Sequence, residues 1–211
     1  MLYGDKGWQQ LAEATTREDL IAVSEYNLRA PSERRLSVDA PVPFLGAVMT
    51  APVVLLLTHP ALDNRVTPED YFFRRCGWPF AALHPEAPAG LSEWWQYRLS
   101  ALVDRFGAQH VANAVSAVFL TPWPSEAFDA GLRLPSRRRM LDLAASAVAR
   151  DALIVMLRGG ELWTEDAGVA ALPATRYFTP RTWRTTRVSQ ENLGDAAWDA
   201  IHKRVEVHAW L

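Results

Sequence analysis

The groups in this chain able to do chemistry are one well-placed histidine, a few carboxylates and many arginines. His59 follows an apolar run, Val53-Val54-Leu55-Leu56-Leu57-Thr58, and precedes Pro60. A neutral imidazole, with an ordinary pKa of ~6.5, can take a proton from water near neutrality. The alternative is a loop histidine that bonds only backbone. Asp63 is the nearest following carboxylate, able to supply negative charge or simply to form a turn before Asn64. Arginines gather at Arg137-Arg138-Arg139 and at Arg181, Arg184 and Arg187, with Arg158 alone before Gly159-Gly160. Guanidinium forks match phosphate oxygens. Of 22 basic residues only Lys6 and Lys203 are lysines, leaving 20 arginines, a skew that a G- and C-rich genome also explains. The net charge of −2 gives no global nucleic-acid footprint, so such a reading needs a local patch.

The elements that must position these groups follow from periodicity. The chain has 211 residues, 49% of them hydrophobic, which suits one globular domain over residues 1–211 with a helical extension over 1–40 packed on it. Thr16 reads as an N-cap with Asp19 at the capping-box position, and Leu20, Ile21, Val23 and Leu28 as the apolar face. Val53–Leu57, Val115–Leu120 and Ala152–Leu157 are short unbroken apolar runs, the mark of strands buried on both faces. Helical spacing marks Ser92–Phe106 and Ser136–Arg150, and further helices are expected at Thr67-Pro68, Glu161–Leu172 and Gly194–Val207. A strand is expected around Arg176–Thr179. The alternation predicts an α/β/α sandwich with a central, mostly parallel sheet of about four strands. In such sheets ligands lie beyond the carboxyl ends of the strands. That rule gathers His59-Pro60, Thr121–Ser125, Arg158-Gly159-Gly160 and Arg187–Leu193 on one edge.

Several chemistries are excluded by pattern. There is no G-x-x-x-x-G-K-[ST] loop, no G-x-G-x-x-G after a strand and no G-x-S-x-G elbow. The single cysteine, Cys76, and five dispersed histidines form no metal-ligand spacing. Neither a cofactor nor a metal is expected. No signal peptide or run of ~20 apolar residues is visible, so a cytoplasmic chain without membrane association is expected.

Three segments carry a resemblance. Pro43-Phe44-Leu45-Gly46 and Ala51–Ala61 resemble the first strand and water-activating loop of the uracil-DNA glycosylase superfamily, where the strand ends in patterns such as G-Q-D-P-Y-H or G-I-N-P-G. Val118–Trp123 resembles a family strand ending in a Pro-aromatic pair. Thr186–Leu193 falls where the family has a second motif, H-P-S-P-L-S or looser variants. The resemblance spans about Pro43 to Val207. It implies catalytic positions at His59 and Arg187, with Asp63 a source of the charge that His59 lacks. It departs from the family at four points. His59 replaces an Asp or Asn, and Ala61 replaces a glycine or aromatic. Phe119 or Leu120 stands for a base-reading Asn, and Arg187 for a histidine.

The resemblance implies a monofunctional DNA glycosylase. Its oxocarbenium-like sugar needs a held water, stabilising charge and a stabilised leaving base, and the base must leave the stack. Pro60, Ala61, Tyr71, Phe72, Phe80, Phe119 and Trp123 are the expected base pocket, since aromatic rings stack on bases. The methyl side chain of Ala61 leaves room for a bulky C5 substituent. A modified pyrimidine, such as glucosylated hydroxymethylcytosine in phage DNA, is therefore the expected substrate, with anti-phage defence as the role. Duplex DNA, of phage origin or damaged, is the expected partner, and no obligatory protein partner is evident. Arg137, Arg138, Arg139, Arg158, Arg184, Ser189, Gln190, Asn192 and Leu193 are the expected DNA contacts, with Gln190 or Leu193 wedging into the vacated stack. Leu193 serves equally as a staple on the last helix. The rivals are an inactive DNA-binding module of the same fold and a nucleosidase-type hydrolase.

Overall fold

The computed structural model describes residues 5–39, 41–63, 65–67, 70, 73, 75–165, 167–182 and 184–208. Tyr71, Phe72 and Pro68, named above, lie outside them.

Three apolar runs form the centre of a five-stranded sheet. Val53–Leu57 is β2, Val115–Phe119 is β3 and Leu153–Met156 is β4, all fully buried. Two shorter strands flank them: β1 (Phe44–Leu45), which the sequence patterns do not announce, and β5 (Tyr177–Phe178). The order is β1-β3-β2-β4-β5, parallel except for β1, which runs antiparallel to β3. The fold class is thus the α/β sandwich that the alternation predicts.

Chain order among the parallel strands matters for function. From the central β2 the chain moves to β3 on one side, then returns past β2 to β4 on the other. Right-handed crossovers place two such connections on opposite faces. Helix α4 (Arg137–Ala149) packs across β2, β3 and β4. Helix α7 (Asp195–His208) packs across β2 and β4, beside the short helix α3 (Ala108–Ala114), and α3 in turn packs on α2 (Ala89–Phe106). This arrangement favours a ligand site beyond the carboxyl ends of the parallel strands.

The N-terminal helix, α1 (Asp5–Arg29), corrects the capping expectation. It runs straight through Thr16, whose hydroxyl donates to the Ala12 carbonyl at 3.0 Å. Leu20, Ile21 and Leu28 are exposed, and the buried face is Leu11, Ala12, Thr15, Asp19 and Val23. Asp19 is wholly buried because its partners come from elsewhere. Its carboxylate accepts from the Ser136 backbone N–H (2.8 Å), the Ser136 hydroxyl (2.5 Å) and the Trp123 indole N–H (2.8 Å). Asp19 thereby supplies, from a separate helix, the negative group that the start of α4 favours. Each buried polar atom of this knot has a partner, as burial demands.

The helix expected over Glu161–Leu172 is two short ones, α5 (Gly160–Thr164) and α6 (Ala167–Ala170). Among the described residues no helix is long and apolar enough to cross a membrane.

Candidate functional site

The carboxyl end of β2 carries His59, and backbone pairing fixes its loop. Leu120 N–H bonds the Leu57 carbonyl at 3.0 Å, and Thr121 N–H bonds the Thr58 carbonyl at 2.8 Å. Further out, Ala61 and Ser125 form a parallel bridge, with Leu62 N–H bonding the Ser125 carbonyl at 3.0 Å. The loops after β2 and β3 thus continue the sheet past its last regular residues. On the other side Gly159 makes the fit: a Cβ there would stand 2.7 Å from Thr58 Cγ2, and its φ is +67°. Only glycine tolerates both conditions.

These loops border a cleft of about 290 Å³ with Asp63, Ala61, His59, Trp94, Trp95 and Phe119 in its wall. That volume is at the small end for ligand pockets and suits one heterocycle. Trp95 is buried, its ring edge-on to Trp94 (4.6 Å between centroids), Phe80 (4.8 Å) and Phe119 (6.4 Å). The first turn of α2, at Gly90-Leu91, forms another wall, so the positive pole of an 18-residue helix borders the cleft. Gly90 permits this approach, since a Cβ there would meet Val66 Cγ2 at 2.8 Å.

His59 faces this cleft as a neutral group. Its Nδ1 lies 3.1 Å from Thr58 Oγ1, and its ring stacks on Phe128 at 5.5 Å. Burial pushes its pKa from 6.5 down to about 4; the Ser125 backbone opposes this and the Arg158 charge adds to it. A neutral imidazole of such low basicity can orient water, but it is a weak proton acceptor. Asp63, the one carboxylate in the described wall of the cleft, is engaged. Arg65 binds both its oxygens, at 3.1 and 2.8 Å, and holds its carboxyl below the usual range. Arg65 also pairs with Glu93 at 2.7 Å.

The cleft brings together His59, Pro60, Ala61, Asp63 and Phe119 from the expected set. Other expectations are corrected. Trp123 is not in the wall: it is fully buried in a separate core with Val23, Leu36 and Leu134, bonded to Asp19. Phe80 lies behind Trp95, with no exposed surface. The Arg137–Arg139 run is not a free basic edge. Arg137 is buried on Glu165 (2.6 Å), Arg138 pairs with Asp142 (3.1 Å) in its own helix, and Arg139 pairs with Glu18 of α1. Ser189 is buried, and its carbonyl receives the N–H groups of Asn192 and Leu193. Asn192 is buried too, its amide donating to the Arg187 carbonyl at 2.8 Å. Leu193 belongs to the main core, so it is a staple and not a wedge. Gln190 is exposed and bonded to Asp195 at 3.0 Å. Arg184 is exposed in the 180s loop.

Arg187 does not reach the cleft wall. Its Nη2 donates to Ser100 Oγ of α2 at 3.0 Å, and its guanidinium lies 5.4 Å from the Tyr97 ring centre. Sequence reasoning missed Trp94 as a wall residue and Arg98 beside it. Their i,i+4 spacing on α2 was the available signal. The Arg98 guanidinium stacks on the Trp94 ring at 3.3 Å from its centre. No group of metal-ligating side chains exists among the described residues. Comparison with protein-family models, curated proteins and solved structures finds no match for this chain.

Proposed function

We propose that the chain is a monofunctional DNA glycosylase that receives a flipped, modified pyrimidine in the cleft beyond β2 and β3. The observation that carries this reading is the wall itself. A neutral His59 faces a small aromatic pocket beyond the carboxyl ends of β2 and β3. Trp94, Trp95 and Phe119 offer apolar surface to a base, and stacking on one ring contributes ~1–3 kcal/mol. Ala61 is exposed at the rim, so a C5 substituent has room to pass.

The chemistry follows from what each group can carry. Departure of the base leaves an oxocarbenium-like sugar, which a histidinium beside it would oppose. The low pKa of His59 keeps that cation away, and its ring can hold water for capture of the sugar. The positive pole of α2 is suited to negative charge on the leaving base. Because Asp63 is tied to Arg65, His59 has no free carboxylate to strengthen it within the described cleft wall. This reading therefore asks little of general-base catalysis and more of the preorganised cleft.

The same tie favours a second reading, a binding module of this fold without catalysis. Incubation with duplexes carrying uracil, hydroxymethylcytosine or its glucosylated form, followed by alkaline cleavage, separates the two. Strand scission at the modified cytosine is the result expected. Scission at uracil alone overturns the modified-base assignment, and none at any base leaves the binding module.

A further inference from the structure

Helix α1 buries one face on the body of the protein and leaves the other uncovered. Among the described residues the exposed large hydrophobic side chains include Leu20 (47% exposed), Ile21 (76%) and Leu28 (83%), all on this outer face. Single exposed hydrophobics are ordinary, but three on one face of one helix form a patch. Ser24, also exposed, sits between them, and its hydroxyl donates to the Leu20 carbonyl at 2.8 Å. A short side chain, its hydroxyl already satisfied, therefore occupies the middle of the patch. The buried face is pinned through Asp19 to Trp123 and Ser136, so the outer face is presented on a fixed helix.

The charges around the patch are ordered. At four-residue steps the outer face reads Glu13, Arg17, Ile21, Glu25 and Arg29, one continuous row along the helix. All five are exposed. The four charged members have no ion pair and no side-chain hydrogen bond among the described residues, whereas Glu18, off this row, is taken by Arg139. Read backwards, the row is Arg, Glu, Ile, Arg, Glu. An antiparallel copy centred on Ile21 therefore sets Glu13 opposite the partner's Arg29, Arg17 opposite the partner's Glu25, and Ile21 opposite the partner's Ile21. A parallel copy in register sets every charge against its like. Such a row favours one orientation and opposes the other.

We infer that two copies of this chain associate as a two-fold dimer through the outer faces of α1, antiparallel and centred on Ile21. Rows at four-residue steps lie side by side when two helices cross at about −50°, the commonest packing class. The neighbouring row, Leu20-Ser24-Leu28, then flanks the central contact, apolar at its ends and small in its middle. A two-fold axis at Ile21 makes each charge pair twice, as an isologous interface requires. The inference stands apart from the excision reading, since no residue in the described wall of the cleft takes part in it. One helix face is smaller than the interface of an obligate dimer, so the association is weak, with a dissociation constant on the order of 10–100 μM.

Sedimentation equilibrium of the full chain at concentrations up to about 1 mM reads the dimer directly. Ile21→Asp should weaken association at least about a hundredfold, because it sets two like charges against each other on the axis. Arg17→Glu and Glu25→Arg each turn two attractive pairs into repulsive ones, and each should weaken association about tenfold. An equal mixture of those two variants should restore it, because the acid-rich row of one meets the base-rich row of the other. All three side chains are exposed, so the urea unfolding midpoints should stay near that of the native chain. A native chain that is monomeric throughout overturns the dimer, and binding of that monomer to vesicles of anionic lipid would assign the face to a membrane surface instead. A dimer untouched by Ile21→Asp overturns its placement on α1. A mixture that associates no better than the separate variants overturns the antiparallel register.

Discussion

Acidification should expose the cost of keeping His59 neutral. Its folded-state pKa of about 4 lies well below the ordinary 6.5, mainly because the ring is buried against Phe128 and the Thr58–Ser125 loops. The unfolded chain therefore takes up a proton in a range where the folded chain does not. Stability is unaffected by this group above about pH 6.5, falls as the pH drops from 6.5 towards 4, and levels off below that. The full gap corresponds to about 3 kcal/mol, an upper bound because folded-state relaxation around the ring reduces it. Urea unfolding followed by tryptophan fluorescence at several pH values, on the native chain and on His59→Gln, isolates the effect. The carboxylates Asp63, Asp129 and Asp151 also lose favourable contacts near the acid end, but they are common to both proteins. The difference in unfolding free energy between the two should change by about 2–3 kcal/mol across this window. An NMR titration of His59 gives the direct reading. A midpoint at or above 6.5, with parallel stability curves, would falsify the neutral-imidazole account and the restricted role given to His59 in catalysis.

Other perturbations test the remaining links. Asp63→Asn should change excision by less than about threefold, because the carboxylate is already committed to Arg65; a loss approaching a hundredfold would make it catalytic. Ala61→Trp should reduce excision of a C5-substituted base at least a hundredfold while leaving the unfolding midpoint near that of the native chain, since the side chain is exposed at the rim. Asp19→Ala should cost about 3 kcal/mol in urea unfolding, because it strands the Trp123 indole and the Ser136 N–H in a dry interior. Gly159→Ala should destabilise by about 1–2 kcal/mol through its left-handed backbone, with further loss from the Thr58 contact; an unchanged midpoint would show that the loop yields freely.

The three central strands and the edge that holds the cleft are legible from local pattern. Val53–Leu57 is bounded by Pro52 and the His59-Pro60 turn, and each parallel strand must bury both faces, so its apolar run is unbroken. Since the loops at one end of such strands meet, strand order alone puts His59 and Arg158 on the same edge, where the Arg158 charge acts on His59. Strand β1 escaped notice because two residues carry no period.

Burial of single side chains and the pairing of charges were decided only by the tertiary structure. Trp123 and Trp94 look alike in sequence, yet one is bound to Asp19 across 104 residues and the other borders the cleft. Of the four apolar residues expected to face inward from α1 only Val23 is buried, because Thr15 and Asp19 are buried there on account of what packs over them. The arginine-rich character of the chain is visible in composition. Which arginines keep uncompensated charge depends on partners such as Glu18, 121 residues from Arg139. Local sequence fixes backbone preference and the period of burial, since both act over a few residues. Charge compensation and cleft walls involve groups distant along the chain, so they come into being only when the sheet is assembled.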